Sequence, residues 1–307
     1  MWNRCEARNR ARAAGGWWAA VTSEALGGRD VMDDLLVASL ERPRFELIPM
    51  RSAERALAAL PGGADVSVTA NGSRGLEPTL ELTERLAALG HHAVPHLAAR
   101  MVEGPAHLRA IVDRLRSVGV TAIFVPAGDV PEAAGPYEGA ADLLEGLAGM
   151  DHPFAHIGVT GYPERHPFIS DALTISEMQR KADAGATEIT TQMCFDTPTI
   201  VDWVAAVRAR GITLPIRIGV PGVVDRVRLV RISLQVGLGD SIRYLSKQPD
   251  LATKMLLGYE PDTLMRELSP LLADGRIVGW HIFTFNEMER TEMWRKNVLT
   301  DLAARTA

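Results

Sequence analysis

The chain has 307 residues, a formal net charge of −5 and 47% hydrophobic residues. That length and apolar content suffice for one large core, an α/β barrel folded as a single domain included. The acidic balance excludes the basic footprint of a nucleic-acid binder, and two cysteines, Cys5 and Cys194, are too few for a disulfide framework or a thiolate zinc site.

Residues 1–31 read as an N-terminal extension ahead of a catalytic unit over 32–307. The stretch RNRARAAGGWWAAV sets a positive segment before small and aromatic residues, but Gly15 and Gly16 interrupt an apolar part too short for a secretory signal. A disordered extension, or a start nearer Met32, is expected. No segment approaches the roughly 20 apolar residues of a membrane span, and a reducing cytoplasm is the expected compartment.

After residue 42, short β-branched runs alternate with longer amphipathic stretches. The runs are RFELIP (44–49), DVSVTA (65–70), HAVPHLA (92–98), AIFVPA (122–127), HIGVTGY (156–162), EITTQMCF (188–195), PIRIGVP (215–221) and GWHIFTFN (279–286). Between them, helical patterns over 77–90, 106–119 and 197–211 each end in glycine. Eight strands alternating with helices predict a (β/α)8 TIM barrel in one domain. An open doubly wound sheet would show an early glycine-rich phosphate fingerprint, which is missing. The stretch 237–260 predicts an extra helical segment between strands 7 and 8.

A barrel places reactive groups at the C-terminal ends of its strands. Glu46, Thr69, His96, Asp129, Tyr162, His166, Gln192 and Asn286 all fall there. Glu46 interrupts an apolar strand; desolvation raises the pKa of such a carboxyl, which suits a general acid. Asp129 follows Gly128, whose freedom in φ would set the carboxylate over the barrel mouth; a helix N-cap is its alternative reading. His92 and His96 are four apart on a strand, about 13 Å, too far for two ligands of one zinc. His96 therefore reads as a ring-stacking or hydrogen-bonding residue at the rim. Gln192 carries donors and an acceptor together, fitting the edge of a heterocycle or a structural hydrogen bond inside the barrel. The turn GVTGYPERHP (158–167) crowds Tyr162, Glu164, Arg165 and His166 together, more chemistry than turning requires.

Taken together, these strand ends resemble the catalytic barrel of the methylenetetrahydrofolate reductases over about residues 44–296. FELIPMR is similar to the family's Phe-Glu-Phe-x-Pro-Pro-Arg, VPHLAAR to Pro-His-Leu-Thr-Cys, GYPERHP to Ala-Tyr-Pro-Glu-x-His-Pro, and KADAGATEITTQMCFD to Lys-x-Asp-Ala-Gly-Ala-x-x-x-x-Thr-Gln-x-x-Phe-Asp. HIFTFNE resembles the closing strand. The resemblance implies reduction of 5,10-methylenetetrahydrofolate to 5-methyltetrahydrofolate with NAD(P)H. Glu46 would be the acid that opens the five-membered ring, Asp129 would stabilise cationic character beside the pterin, and Gln192 would bind the pterin.

The family relays the hydride through FAD, and Thr69, His96, Gly128, Tyr162, His166, Arg180 and Lys181 match positions expected to bind it. Other positions depart: the family's arginine falls on Ala127, an acidic and an amide position fall on Thr174 and Glu177, and a tyrosine falls on Gly139. Losing a guanidinium and gaining a carboxylate near a pyrophosphate both weaken anion binding. The departures therefore point to a flavin-free or weakly flavin-binding site. There NAD(P)H itself would lie on Tyr162 and His166, with a phosphate at Lys181. Two other functions fit the same motifs: a folate-binding methyltransferase-type barrel, and a non-catalytic folate-binding regulatory barrel.

Overall fold

The computed structural model describes residues 31–163, 171–194, 196–224 and 261–306. His166, nearly all of the expected N-terminal extension and the extra helical segment at 237–260 lie outside the described residues. The described chain alternates β1 (Arg44–Leu47), β2 (Asp65–Val68), β3 (His92–Pro95), β4 (Ala122–Val125), β5 (His156–Gly161), β6 (Glu188–Thr191), β7 (Ile216–Pro221) and β8 (Gly279–Phe283) with helices. In chain order the helices are α1 (Val31–Glu41), α2 (Ala53–Ala58), α3 (Glu77–Ala88), α4 (Pro105–Ser117), α5 (Ala140–Ala148), α6 (Asp171–Asp183), α7 (Thr197–Ala209), α8 (Pro261–Ala273) and α9 (Met288–Thr306).

All paired strands are parallel, in the order β3-β2-β1-β8-β7-β6-β5-β4. A parallel bridge between His96 and Phe124, just past β3 and within β4, draws the two outer strands together and closes the barrel. This is the (β/α)8 barrel that the strand and helix periodicity predicts. Each of the eight predicted strands is present, and six of them end two to four residues earlier than their apolar runs do.

The sheet has two faces because side chains alternate along a strand. Phe45, Leu47, Val66, Val68, Val159, Ile189, Ile218, Trp280 and Ile282 are buried in the main apolar core. The alternate positions carry the polar residues Arg44, Glu46, Ser67, Thr190 and His281, which are buried too. Helix ends follow from residue chemistry. Asp196 caps α7 by accepting the Thr199 N–H at 3.0 Å, and Gly90, at φ +81°, ends the α3 turn where a side chain would be strained. Helix α1 packs its Leu36 and Leu40 into the core, and its Ser39 hydroxyl accepts the Trp280 indole N–H at 2.7 Å.

Inside the barrel a buried ion triad ties three strands. Arg44 Nη1 reaches Glu188 Oε1 at 2.5 Å, and Arg217 Nε reaches Glu188 Oε2 at 2.9 Å. Strands β1 and β6 are not neighbours, so the first of these pairs crosses the barrel interior. Burial alone would raise the Glu188 carboxyl. The charges of Arg44 and Arg217 and the hydrogen bonds from both outweigh it and hold the group down to about 2. The triad's stabilisation is thus complete above the unfolded carboxyl value near 4.5 and is lost as pH falls from there toward 2. Glu188→Gln leaves two guanidiniums without their counter-ion and is expected to cost about 3–5 kcal/mol at neutral pH. Urea unfolding of the two proteins across that pH window should show the gap narrowing as the solution is acidified; a constant gap would contradict the assignment.

Candidate active site

Glu46 occupies an inward position of β1 and is 9% exposed. Two imidazoles converge on its Oε2: His281 Nε2 at 3.1 Å and His96 Nε2 at 3.7 Å. His96 is fixed from two further sides. Its Nε2 shares a hydrogen bond with Ser67 Oγ at 2.7 Å, and its ring centroid lies 4.6 Å from that of Phe124. Burial drives the His96 imidazole down to about 4 against the pull of the Glu46 carboxylate, and the charges of His281 and Arg44 add to the lowering. His96 is therefore neutral at physiological pH.

Above this cluster opens a cavity of about 760 Å³, a size that suits an organic ligand. Glu46, Thr69, His96, Gly128, Asp129, Tyr162 and Gln192, all expected at strand ends, line it together. The Thr69 and Thr190 hydroxyls and His281 Nδ1 are buried on residues lining this cavity and have no hydrogen-bond partner among the described residues. Buried polar groups are seldom left so, and a polar ligand would satisfy them. Gln192 accepts the Met193 N–H on its Oε1 at 2.9 Å, which leaves its amide N–H groups as the donors it can offer. Burial raises the Tyr162 hydroxyl; a hydrogen bond with Thr160 opposes the shift and the Asp129 charge adds to it.

Asp129 is carried by a loop clamped to the segment after β3. Ala99 N–H donates to Pro126 O, Arg100 N–H to Ala127 O, and Ala134 N–H to Arg100 O, at 2.8–3.0 Å. Gly128 lies at φ +100°, and a Cβ there would stand 3.2 Å from that of Ala98. The glycine expected before Asp129 is therefore required both by backbone conformation and by close packing.

Not every expected group reaches the cavity. Arg180 lies on the outer helical surface, where its Nη2 meets Asp142 Oδ1 at 2.6 Å and Glu145 Oε1 at 2.9 Å, and it does not line the cavity. This corrects its placement beside a cofactor: α6 turns the residue toward the acidic face of α5. Lys181 and Glu177, on the same helix, do not line the cavity either; burial lowers the Lys181 ammonium and the Glu177 charge opposes this. Asn286, at φ +62°, clasps the backbone of Ile48, accepting its N–H and donating to its O, each at 2.9 Å. It closes β8 onto β1.

The sequence reading missed three residues that the structure brings to the site. His281 and Ser67 are polar groups inside apolar strands, the same signal that singles out Glu46, and both were legible on that ground. Arg100 is a lone cation four residues beyond His96, and only the folded chain shows that it faces the cavity.

The chain matches the family model described as methylenetetrahydrofolate reductase over residues 48–298. It is 27% identical over 252 residues to methylenetetrahydrofolate reductase 2 of Saccharomyces cerevisiae, covering 75% of this chain and 40% of that protein. It is 32% identical over 221 residues to the 5,10-methylenetetrahydrofolate reductase of Escherichia coli, covering 65% of this chain and 68% of that one. Among solved structures, a Clostridium thermocellum protein described as binding two copies of 5-methyl-5,6,7,8-tetrahydrofolic acid aligns at a TM-score of 0.61 and 12% identity, over 89% of this chain and 100% of that one. At that identity the likeness concerns the fold. The chain spans less than half the length of the yeast relative.

The lowered His96 carries a sign. Unfolding frees an imidazole that takes a proton below about 6.5, whereas the folded one does so only near 4, so stability falls as pH drops through that window. His96→Gln should flatten the pH dependence of urea unfolding between these values, by up to about 1.4 kcal/mol per pH unit at the steepest point. An unchanged slope would show that His96 titrates normally.

Proposed function

Because the chain belongs to the methylenetetrahydrofolate reductase family, we propose that it reduces 5,10-methylenetetrahydrofolate to 5-methyltetrahydrofolate at this cavity, with NAD(P)H as reductant. The observation that carries the reading is Glu46: a carboxyl lining the cavity, hydrogen-bonded on one oxygen to His281 at 3.1 Å with the His96 ring 3.7 Å away. A proton from Glu46 passes to a nitrogen of the folate's five-membered ring as the bond from that nitrogen to the one-carbon bridge breaks. The electron pair of the broken bond stays on the protonated nitrogen, and an iminium remains at the bridge carbon. A hydride adds there to give the methyl group, and NAD(P)+ is released. Asp129 balances the cationic character of the iminium, and the Gln192 amide donates to the pterin edge. Thr69 and Tyr162 would complete the walls around the two bound molecules.

The described residues do not offer the cations that a flavin diphosphate would need. The position of the family's arginine is Ala127, Arg180 is committed to Asp142 and Glu145, and Lys181 does not line the cavity. Direct hydride transfer from NAD(P)H is the reading these contacts support.

One experiment tests both parts. The purified protein is expected to be colourless and to oxidise NADH only when 5,10-methylenetetrahydrofolate is added. NADH bearing deuterium on the transferred position should deliver it undiluted to the product methyl group. Glu46→Gln should fold normally and lose turnover by at least about 100-fold. Stoichiometric flavin in the active enzyme, or label washed out to solvent, would overturn the direct transfer; full activity of Glu46→Gln would overturn the acid.

A further inference from the structure

Among the described residues that line the cavity there are three carboxylates, Glu46, Asp129 and Glu138, and one guanidinium or ammonium, Arg100. Both molecules of the proposed reaction carry anionic ends. The dinucleotide has a pyrophosphate and the folate has a glutamate tail. A lining this acidic needs a cation to receive either of them.

Arg100 is built for that task in two parts. Its Nε donates to Val130 O at 3.0 Å and its Nη2 to Pro131 O at 2.7 Å, so the plane of the guanidinium is set by main-chain acceptors of the Asp129 loop. Its Nη1 is held differently, by the Glu138 carboxylate and, at 3.3 Å, by the Glu138 carbonyl. The Glu138 side chain is 69% exposed, whereas that of Arg100 is 21% exposed. An ion pair with one partner so open to solvent contributes little and is readily exchanged. The two carbonyl contacts would keep the guanidinium aimed while its carboxylate partner changes.

We propose that Arg100 is the anion-recognising residue of this cavity. Glu138 is a resident carboxylate that an anionic oxygen group of the ligand, a phosphate or a carboxylate, displaces. The inference rests on the reductase reading for the identity of the ligands. It also explains the missing arginine at Ala127: Arg100 N–H bonds to the Ala127 carbonyl at 2.9 Å, so the guanidinium is supplied from the facing segment, next to the position where the family places its own.

The test compares ligands with and without their anionic groups. Binding of NADH and of uncharged dihydronicotinamide riboside, and of 5-methyltetrahydrofolate and its diamide at the two glutamate carboxyls, is measured by fluorescence titration on three proteins. These are the wild type, Arg100→Met and Glu138→Gln. Arg100→Met should weaken binding of the anionic member of at least one pair by tenfold or more while sparing the other member. A loss confined to NADH identifies the pyrophosphate as the displacing group, and one confined to 5-methyltetrahydrofolate identifies the glutamate tail. Glu138→Gln removes the competitor without disturbing the carbonyl contacts and should tighten the same ligand several-fold, which keeps the test valid should Arg100→Met fold poorly. Equal weakening within both pairs, or no tightening by Glu138→Gln, overturns the proposal. A wild type that binds neither NADH nor the folate refutes the reductase reading instead.

Discussion

A carboxyl inside a parallel barrel must find partners there, because desolvation of an isolated charge is far too costly to survive folding. This barrel encloses two such groups, and their partners differ in kind. Glu188 is bracketed by Arg44 and Arg217, guanidiniums that stay charged at any accessible pH, and it is thereby locked as an anion. Glu46 instead faces two imidazoles, His281 Nε2 at 3.1 Å and His96 Nε2 at 3.7 Å. The first carboxylate is a structural strut, while the second lies on the wall of the cavity. Arg44 and Glu46 are two residues apart on the same strand, and that spacing separates the strut from the chemistry.

The barrel supplies the rest through geometry. Parallel strands all end at one rim, so residues from β1 through β6 and from β8 meet around one volume although they are up to 237 positions apart between Glu46 and Phe283. Precision at the rim comes from side-chain and main-chain clasps. Asn286 holds β8 to the segment after β1, and the hydrogen bonds of residues 99–100 and 134 hold the loop of Asp129. Such contacts set a catalytic loop more tightly than its own sequence could, since each free backbone group of the loop gains a fixed partner.

Much of this was legible in the sequence. Short β-branched runs gave eight strands because such side chains favour a pleated, buried surface, and Glu46 stood out because it breaks an apolar run where no turn needs it. Strand ends were overestimated at β1, β2, β3, β4, β6 and β8, where the apolar run continues into the lining of the cavity after sheet pairing has stopped. The placement of Arg180 was misread, since helical periodicity does not say which neighbouring helix offers carboxylates to a given face. Arg100 was invisible for a related reason: its function depends on main-chain carbonyls some 30 residues away. His281 is the informative miss. It satisfies the rule that selected Glu46, and only the pairing of the first and last strands reveals the contact between them.

The central claim is that Glu46 delivers its proton at the place where the folate binds. A crystal structure of the protein with 5-methyltetrahydrofolate bound tests it most directly. The account expects the pterin against Gln192 and Asp129, with the Glu46 carboxyl within hydrogen-bond distance of the nitrogen released on ring opening. A pterin bound elsewhere, or one lying in the cavity with that nitrogen out of reach of Glu46, would contradict it.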